Sequence, residues 1–208
     1  PLIGFCGSPW TLAAYSIEGR SSKDFEKTLG FLESNQKDVH DLLTKYTDAC
    51  FLYLRKQVQS GADVIQIFDS WANLLTKEDL IEFSFNYINS LISALKLDPI
   101  TKNIPVIIFA RNPKCNIEEL INTSADCISL FWSMNDLNFE VAKNKVAIQG
   151  NLDPKILLES DETIKRETYK ILERFKEYPG YIFNLGHGIT PDISPDKIKY
   201  LTNIVREY

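Results

Sequence analysis

Six short apolar runs, separated by longer amphipathic stretches, constrain this chain more than any other feature of its sequence. They are Leu2–Cys6, Val64–Phe68, Ile104–Phe109, Cys127–Trp132, Val146–Gln149 and Tyr181–Leu185. Most are near-continuously apolar, as expected of parallel strands covered by helices on at least one face. The intervening stretches carry helix signals. Ser22 before Asp24 and Glu26 predicts an N-cap followed by an acidic first turn. From Gln36 to Ser60, Val39, Leu42, Leu43, Tyr46, Ala49, Cys50 and Tyr53 recur at helical spacing, and Gly61 stops the helix. Thr76 with Asp79 has the form of a capping box, opening a helix to about Lys96. Ser160 opens another that ends before Pro179-Gly180, and Ser194-Pro195 is an N-cap followed by proline at the first helical position.

Strands alternating with helices imply an α/β protein with right-handed crossovers, in a single domain over residues 1–208. Two architectures accommodate this: an open doubly wound sheet, or about six units of a (β/α)8 TIM-type barrel. Alternation in Val64-Ile65-Gln66-Ile67-Phe68-Asp69-Ser70 sets Ile65 and Ile67 on one face, and Gln66, Phe68 and Ser70 on the other. Gln149 and Asn184 likewise fall opposite their apolar neighbours. Inward amides near strand C-termini suit the mouth of a barrel better than a dry sheet face.

The 208 residues carry a net charge of −5 with both signs mixed along the chain, which speaks against a nucleic-acid footprint. No apolar run approaches the roughly 18 residues that span a bilayer, so no membrane partner is expected. Cys6, Cys50, Cys115 and Cys127 are scattered without a CxxC pair and read as reduced thiols of a cytoplasmic protein. The chain opens without Met in a strand-like run, so a preceding segment is expected.

Polar and glycine-rich signatures gather where the strands end: Gly4 to Thr11, Phe68-Asp69-Ser70-Trp71, Phe109-Ala110-Arg111, Gln149 to Pro154, and Asn184-Leu185-Gly186-His187-Gly188. That end of a parallel α/β sheet is the ligand-binding end. The stretches PLIGFCGSPWTLAAYSIEG, GADVIQIFDSWA, IPVIIFAR, QGNLDP and FNLGHGITPD, in this order, resemble the uroporphyrinogen decarboxylase family. The resemblance implies a cofactor-free, metal-free, homodimeric (β/α)8 barrel. Its substrate, the tetrapyrrole uroporphyrinogen III, loses four acetate carboxyls to give coproporphyrinogen III in haem biosynthesis.

On that resemblance the chain starts at the third barrel strand and ends after the eighth. The family's catalytic aspartate and its carboxylate-binding arginines would precede Pro1, so no catalytic residue is assigned within the chain and Asp69 is not that aspartate. The carry-over does assign substrate contacts to Tyr15, Ser70 and His187, with Arg111 adding positive potential. On position alone, Tyr15 reads as packing more readily than as function, and Ser70 as a helix N-cap or strand-end hydroxyl. The other histidine, His40, reads as a partly packed helix residue, Cys6 and Cys127 as small core residues, and Trp10 and Trp132 as packing anchors. Phe131 stands where the family has aspartate, Arg20 follows Gly19, and Asn112-Pro113 follows Arg111. Two other readings are a corrinoid-type methyltransferase of the same superfamily and a non-catalytic tetrapyrrole binder. The first requires about three converging zinc ligands, for which no His-x-Cys motif is present.

Overall fold

A computed structural model describes residues 1–135 and 137–208. Six strands, β1 (Ile3–Gly7), β2 (Val64–Asp69), β3 (Val106–Ala110), β4 (Cys127–Ser129), β5 (Ala147–Gln149) and β6 (Tyr181–Ile182), neighbour one another in the order β1-β2-β3-β4-β5-β6. The pairs β1–β2, β2–β3 and β5–β6 are parallel. A doubly wound sheet reverses its strand order at a switch point, whereas a barrel keeps sequence order throughout. The fold is therefore the α/β fold of the barrel class.

Two compact units divide the chain, Pro1–Ile128 and Ser129–Tyr208. In the first, α1 (Pro9–Glu18), α2 (Glu26–Ser34) and α3 (Gln36–Gln59) follow β1. After β2 come α4 (Lys77–Asp79), a π-helical segment (Leu80–Phe85) and α5 (Asn86–Leu97). Ser8 caps α1, its Oγ accepting from the Thr11 N–H at 3.0 Å, and Pro9 fills the first helical position. Thr76 caps α4 as its spacing predicts, accepting from the Asp79 N–H at 3.2 Å. Ile65 and Ile67 are buried beneath the helices with Leu43, Leu54, Phe83, Ile88 and Leu91. On the opposite face, Phe5, Phe68 and Phe109 form an aromatic row across β1, β2 and β3, with centroids 6.0 and 5.9 Å apart.

The second unit packs α7 (Asp161–Phe175) and α8 (Pro195–Glu207) around Leu152, Leu157, Ile164, Ile193, Leu201 and Ile204. Ser160 and Ser194 cap these helices, accepting from Thr163 N–H at 3.3 Å and Asp196 N–H at 3.2 Å.

Four local expectations are corrected. Ser22 does not cap α2; its Oγ accepts from the Phe25 N–H at 3.3 Å, and the helix starts at Glu26 after a left-handed Phe25. The fully buried ring of Phe25 dictates that turn. β4 ends at Ser129, three residues early, because the chain beyond enters a turn at Trp132. β6 spans only Tyr181–Ile182, and the rest of its run contributes one isolated bridge, Leu152 to Leu185. On α3, Ala49 and Tyr53 face outward and Leu54 is buried instead.

Candidate functional site

Within the first unit, the end of β2 is organised by Asp69. Alternation places it with Ile65 and Ile67, on the helix side of the sheet, and it is 1% exposed. Its Oδ1 accepts from Ser8 Oγ at 3.0 Å and from Thr11 Oγ1 at 3.1 Å, and its Oδ2 accepts from Ser84 Oγ in the π-helical segment. Burial pushes the carboxyl above its ordinary range, while the donors from Ser84, Ser8, Thr11 and the Trp71 backbone pull the other way. Thr11 Oγ1 in turn accepts the N–H of Ser70 at 2.9 Å. One buried carboxylate thus joins the start of α1, the end of β2 and the π-helical segment. It belongs to the scaffold.

Helix α1 carries Tyr15 one turn beyond Thr11. Its ring meets Trp71 edge-on at 5.7 Å and Phe25 at 5.9 Å, and its hydroxyl has no hydrogen-bond partner among the described residues. Ser70 is half-buried, immediately before Trp71. Arg111 follows β3, tied by its N–H to the Asp69 carbonyl at 3.0 Å, and its guanidinium lies 5.5 Å above the Trp71 ring. Tyr15 and Arg111 therefore meet on the Trp71 ring, with Ser70 its neighbour in the chain. The sequence displays Trp71 within Phe-Asp-Ser-Trp, but residue type alone does not separate a site tryptophan from a packing one.

The second unit contains His187. Its Nδ1 lies 3.3 Å from the Gly188 carbonyl, and its ring meets Phe131 edge-on at 5.9 Å. Gly186, just before it, crosses the Trp132 backbone so closely that a Cβ there would sit 2.5 Å from the Trp132 Cα. The close approach is the physical reason for glycine in Asn-Leu-Gly-His-Gly. Of the predicted amides, Gln149 is buried and donates to Ser129 Oγ at 3.1 Å, whereas Asn184 is exposed and caps its own loop through the Leu185 N–H at 2.8 Å. Asn151 lies in the Gln149 to Pro154 signature, which assigns it no role of its own; it is buried and donates to the Phe131 carbonyl at 3.2 Å.

His40 hydrogen-bonds Tyr87 at 2.7 Å and Glu82 at 3.2 Å and stacks on Phe83 at 4.8 Å, so it is engaged on the outside of the helix layer. Cys6, Cys50 and Cys127 are buried, and burial pushes the Cys127 thiol up to about 12, which keeps it protonated at neutral pH. Among the described residues, no group of three or more His, Cys, Asp or Glu side chains is arranged to hold a metal ion. No helix among them is long and apolar enough to cross a membrane.

A family model described as Uroporphyrinogen decarboxylase (URO-D) matches residues 1–208. The chain belongs to the uroporphyrinogen decarboxylase family. Relatives named uroporphyrinogen decarboxylase from Ruthia magnifica subsp. Calyptogena magnifica and from Alcanivorax borkumensis are 42% and 41% identical to it. Those alignments cover 100% of this chain but 60% and 59% of the relatives, so the chain spans about three-fifths of their length. Among solved structures, a methyltransferase from Methanosarcina mazei superposes with a TM-score of 0.76 at 20% identity, over 100% of this chain and 58% of that one. That likeness concerns the fold alone.

Proposed function

We propose that the protein carrying this chain is a cofactor-free carboxy-lyase that converts the four acetate side chains of uroporphyrinogen III to methyls, giving coproporphyrinogen III. What supports this reading above all is the family match along all 208 residues. Losing carbon dioxide from a pyrrole acetate needs an electron sink. The ring is protonated at a carbon beside nitrogen, the carboxyl leaves as carbon dioxide, the exocyclic methylene takes a proton to become methyl, and the ring carbon gives up its added proton to restore the pyrrole. Positive charge develops on the ring, so a fixed carboxylate nearby lowers the barrier.

Asp69 is unsuited to that task. It is buried on the helix side and engaged by three hydroxyl donors. In this reading the stabilising carboxylate comes from the aspartate that the family resemblance locates before Pro1. The chain's own contribution is binding. The hydroxyls of Tyr15 and Ser70 and the imidazole of His187 hold acetate or propionate groups, and the Arg111 guanidinium adds charge. The reading extends to a homodimer in the cytoplasm, both of which rest on the family resemblance.

An anaerobic assay of the 208-residue chain beside the full-length gene product, following coproporphyrinogen by chromatography, tests the proposal. The chain alone is expected to be slower by at least about 10²–10³, the usual effect of losing one preorganised charge-stabilising group. Absence of turnover by the full-length product would overturn the decarboxylase reading and favour a tetrapyrrole binder. Turnover by the chain within tenfold of the full-length product would overturn the division of roles.

A further inference from the structure

Arg111 is half-buried at the end of β3, and among the described residues no carboxylate pairs with its guanidinium. A guanidinium with no acid partner in the protein has donors open to the bidentate bonds that a ligand carboxylate makes. What holds it is the Trp71 ring, 5.5 Å away, within the range of a cation–π contact. That ring is itself held firmly. Phe25 packs on it at 4.3 Å and Tyr15 at 5.7 Å, and the Trp71 carbonyl accepts from the indole N–H of fully buried Trp10 at 3.1 Å. Phe25 adopts φ of 51° to reach it, a left-handed conformation unusual for a bulky residue. The indole Nε1 of Trp71 is buried and, among the described residues, has no hydrogen-bond partner.

We propose that Trp71 is the positioning residue of a carboxylate subsite whose charged group is Arg111. The subsite takes one carboxylate of a polycarboxylate ligand. This inference rests on the tetrapyrrole reading for the identity of the ligand but not for the device itself. Arg111 forms the ion pair, and Trp71 keeps the guanidinium at the sheet end so that little side-chain freedom is lost when the ligand arrives.

The test uses the 208-residue chain with uroporphyrin as the polycarboxylate probe, titrated by Soret absorbance at low salt. The variants are Arg111→Met, Trp71→Leu, Trp71→Phe and the double variant Arg111→Met/Trp71→Leu. Each of the first two is expected to weaken binding roughly tenfold, and the double variant by little more than either, because both remove one device. Trp71→Phe should restore most of the affinity lost in Trp71→Leu. In NMR spectra, the Arg111 δ-protons should be shifted upfield by the indole ring in the wild type and return to ordinary values in Trp71→Leu. Unchanged binding by Trp71→Leu, or losses that multiply to about a hundredfold in the double variant, would overturn the proposal. So would Arg111 δ-proton positions indifferent to Trp71→Leu, whether or not the probe binds. If the wild type ignores uroporphyrin, the carboxylate subsite is overturned even where the ring-current shift is present, whereas the decarboxylase reading stands or falls with the turnover assay of the full-length product.

Discussion

The side-chain amide of Gln57 pairs with the backbone of Phe5 as a neighbouring strand would. Its Oε1 accepts from the Phe5 N–H at 2.8 Å, and its Nε2 donates to the Phe5 carbonyl at 2.9 Å. Gln57 lies at the end of α3, and Phe5 is on β1, the first strand in the sheet order. An unpaired strand edge is a template for pairing with another chain. Here one amide satisfies the central residue of that edge. Replacing Gln57 by Leu should destabilise the 208-residue chain by about 0.5–1.5 kcal/mol, the net worth of a hydrogen bond whose exposed backbone partners turn to water instead. It should also promote self-association. Urea unfolding and sedimentation velocity check the two effects, and a variant as stable and monodisperse as the wild type would show the edge needs no cover.

Asp69 predicts a distinctive pH dependence. Burial raises its native pKa above the ordinary 3.8. A carboxyl with a raised native pKa contributes stability that is complete below its unfolded value and is lost as pH climbs through the native value. Relative to Asp69→Asn, the wild type should therefore lose stability as pH rises from below about 4 through the native pKa, then level off. Chemical denaturation of both proteins across that range measures it. A wild type that instead gains stability relative to Asp69→Asn as pH rises would mean that the hydroxyl donors outweigh desolvation.

Gly186 admits no side chain. An alanine Cβ would lie 2.5 Å from the Trp132 Cα, and both partners there are backbone. Gly186→Ala should cost roughly 2–4 kcal/mol, as overpacking against an unyielding neighbour does, or displace the loop that carries His187. Thermal unfolding reads the first outcome. A changed His187 imidazole chemical shift in a protein of normal stability reads the second.

Tyr15, Ser70 and His187 differ in kind from these scaffold residues. Tyr15 and Ser70 have hydroxyls without a protein partner among the described residues, so Tyr15→Phe and Ser70→Ala should leave stability within about 0.5 kcal/mol of the wild type. In the full-length gene product, each of these changes, and His187→Ala, should lower kcat/KM for uroporphyrinogen roughly tenfold to a hundredfold, the scale of one hydrogen bond to a charged group. Stability loss without any kinetic effect would assign these side chains to packing.

The order of the elements was legible in the residues themselves. Apolar runs marked every strand, and Thr76, Ser160 and Ser194 marked helix starts that the fold uses. Gly61, with φ of 104°, ends α3 where the sequence reading stops it. These features depend on neighbours within about one helical turn, so local chemistry decides them. Ser22 shows the limit. It has the composition of a cap, yet the burial of Phe25, set by Tyr15 and Trp71, moved the helix start.

What the sequence by itself determined, then, was alternation, capping and the clustering of polar signatures at strand ends, together with the family motifs. Tertiary structure alone decided the partners. Ser8 meets Asp69 across 61 residues, Gln57 meets Phe5 across 52, and Arg111 finds the face of Trp71. Residue type offers no hint of these pairings, because a carboxylate, an amide or an indole has the same local preferences whether its partner is water, backbone or a guanidinium. Only burial, by removing water as the default partner, makes each of these groups take a particular one.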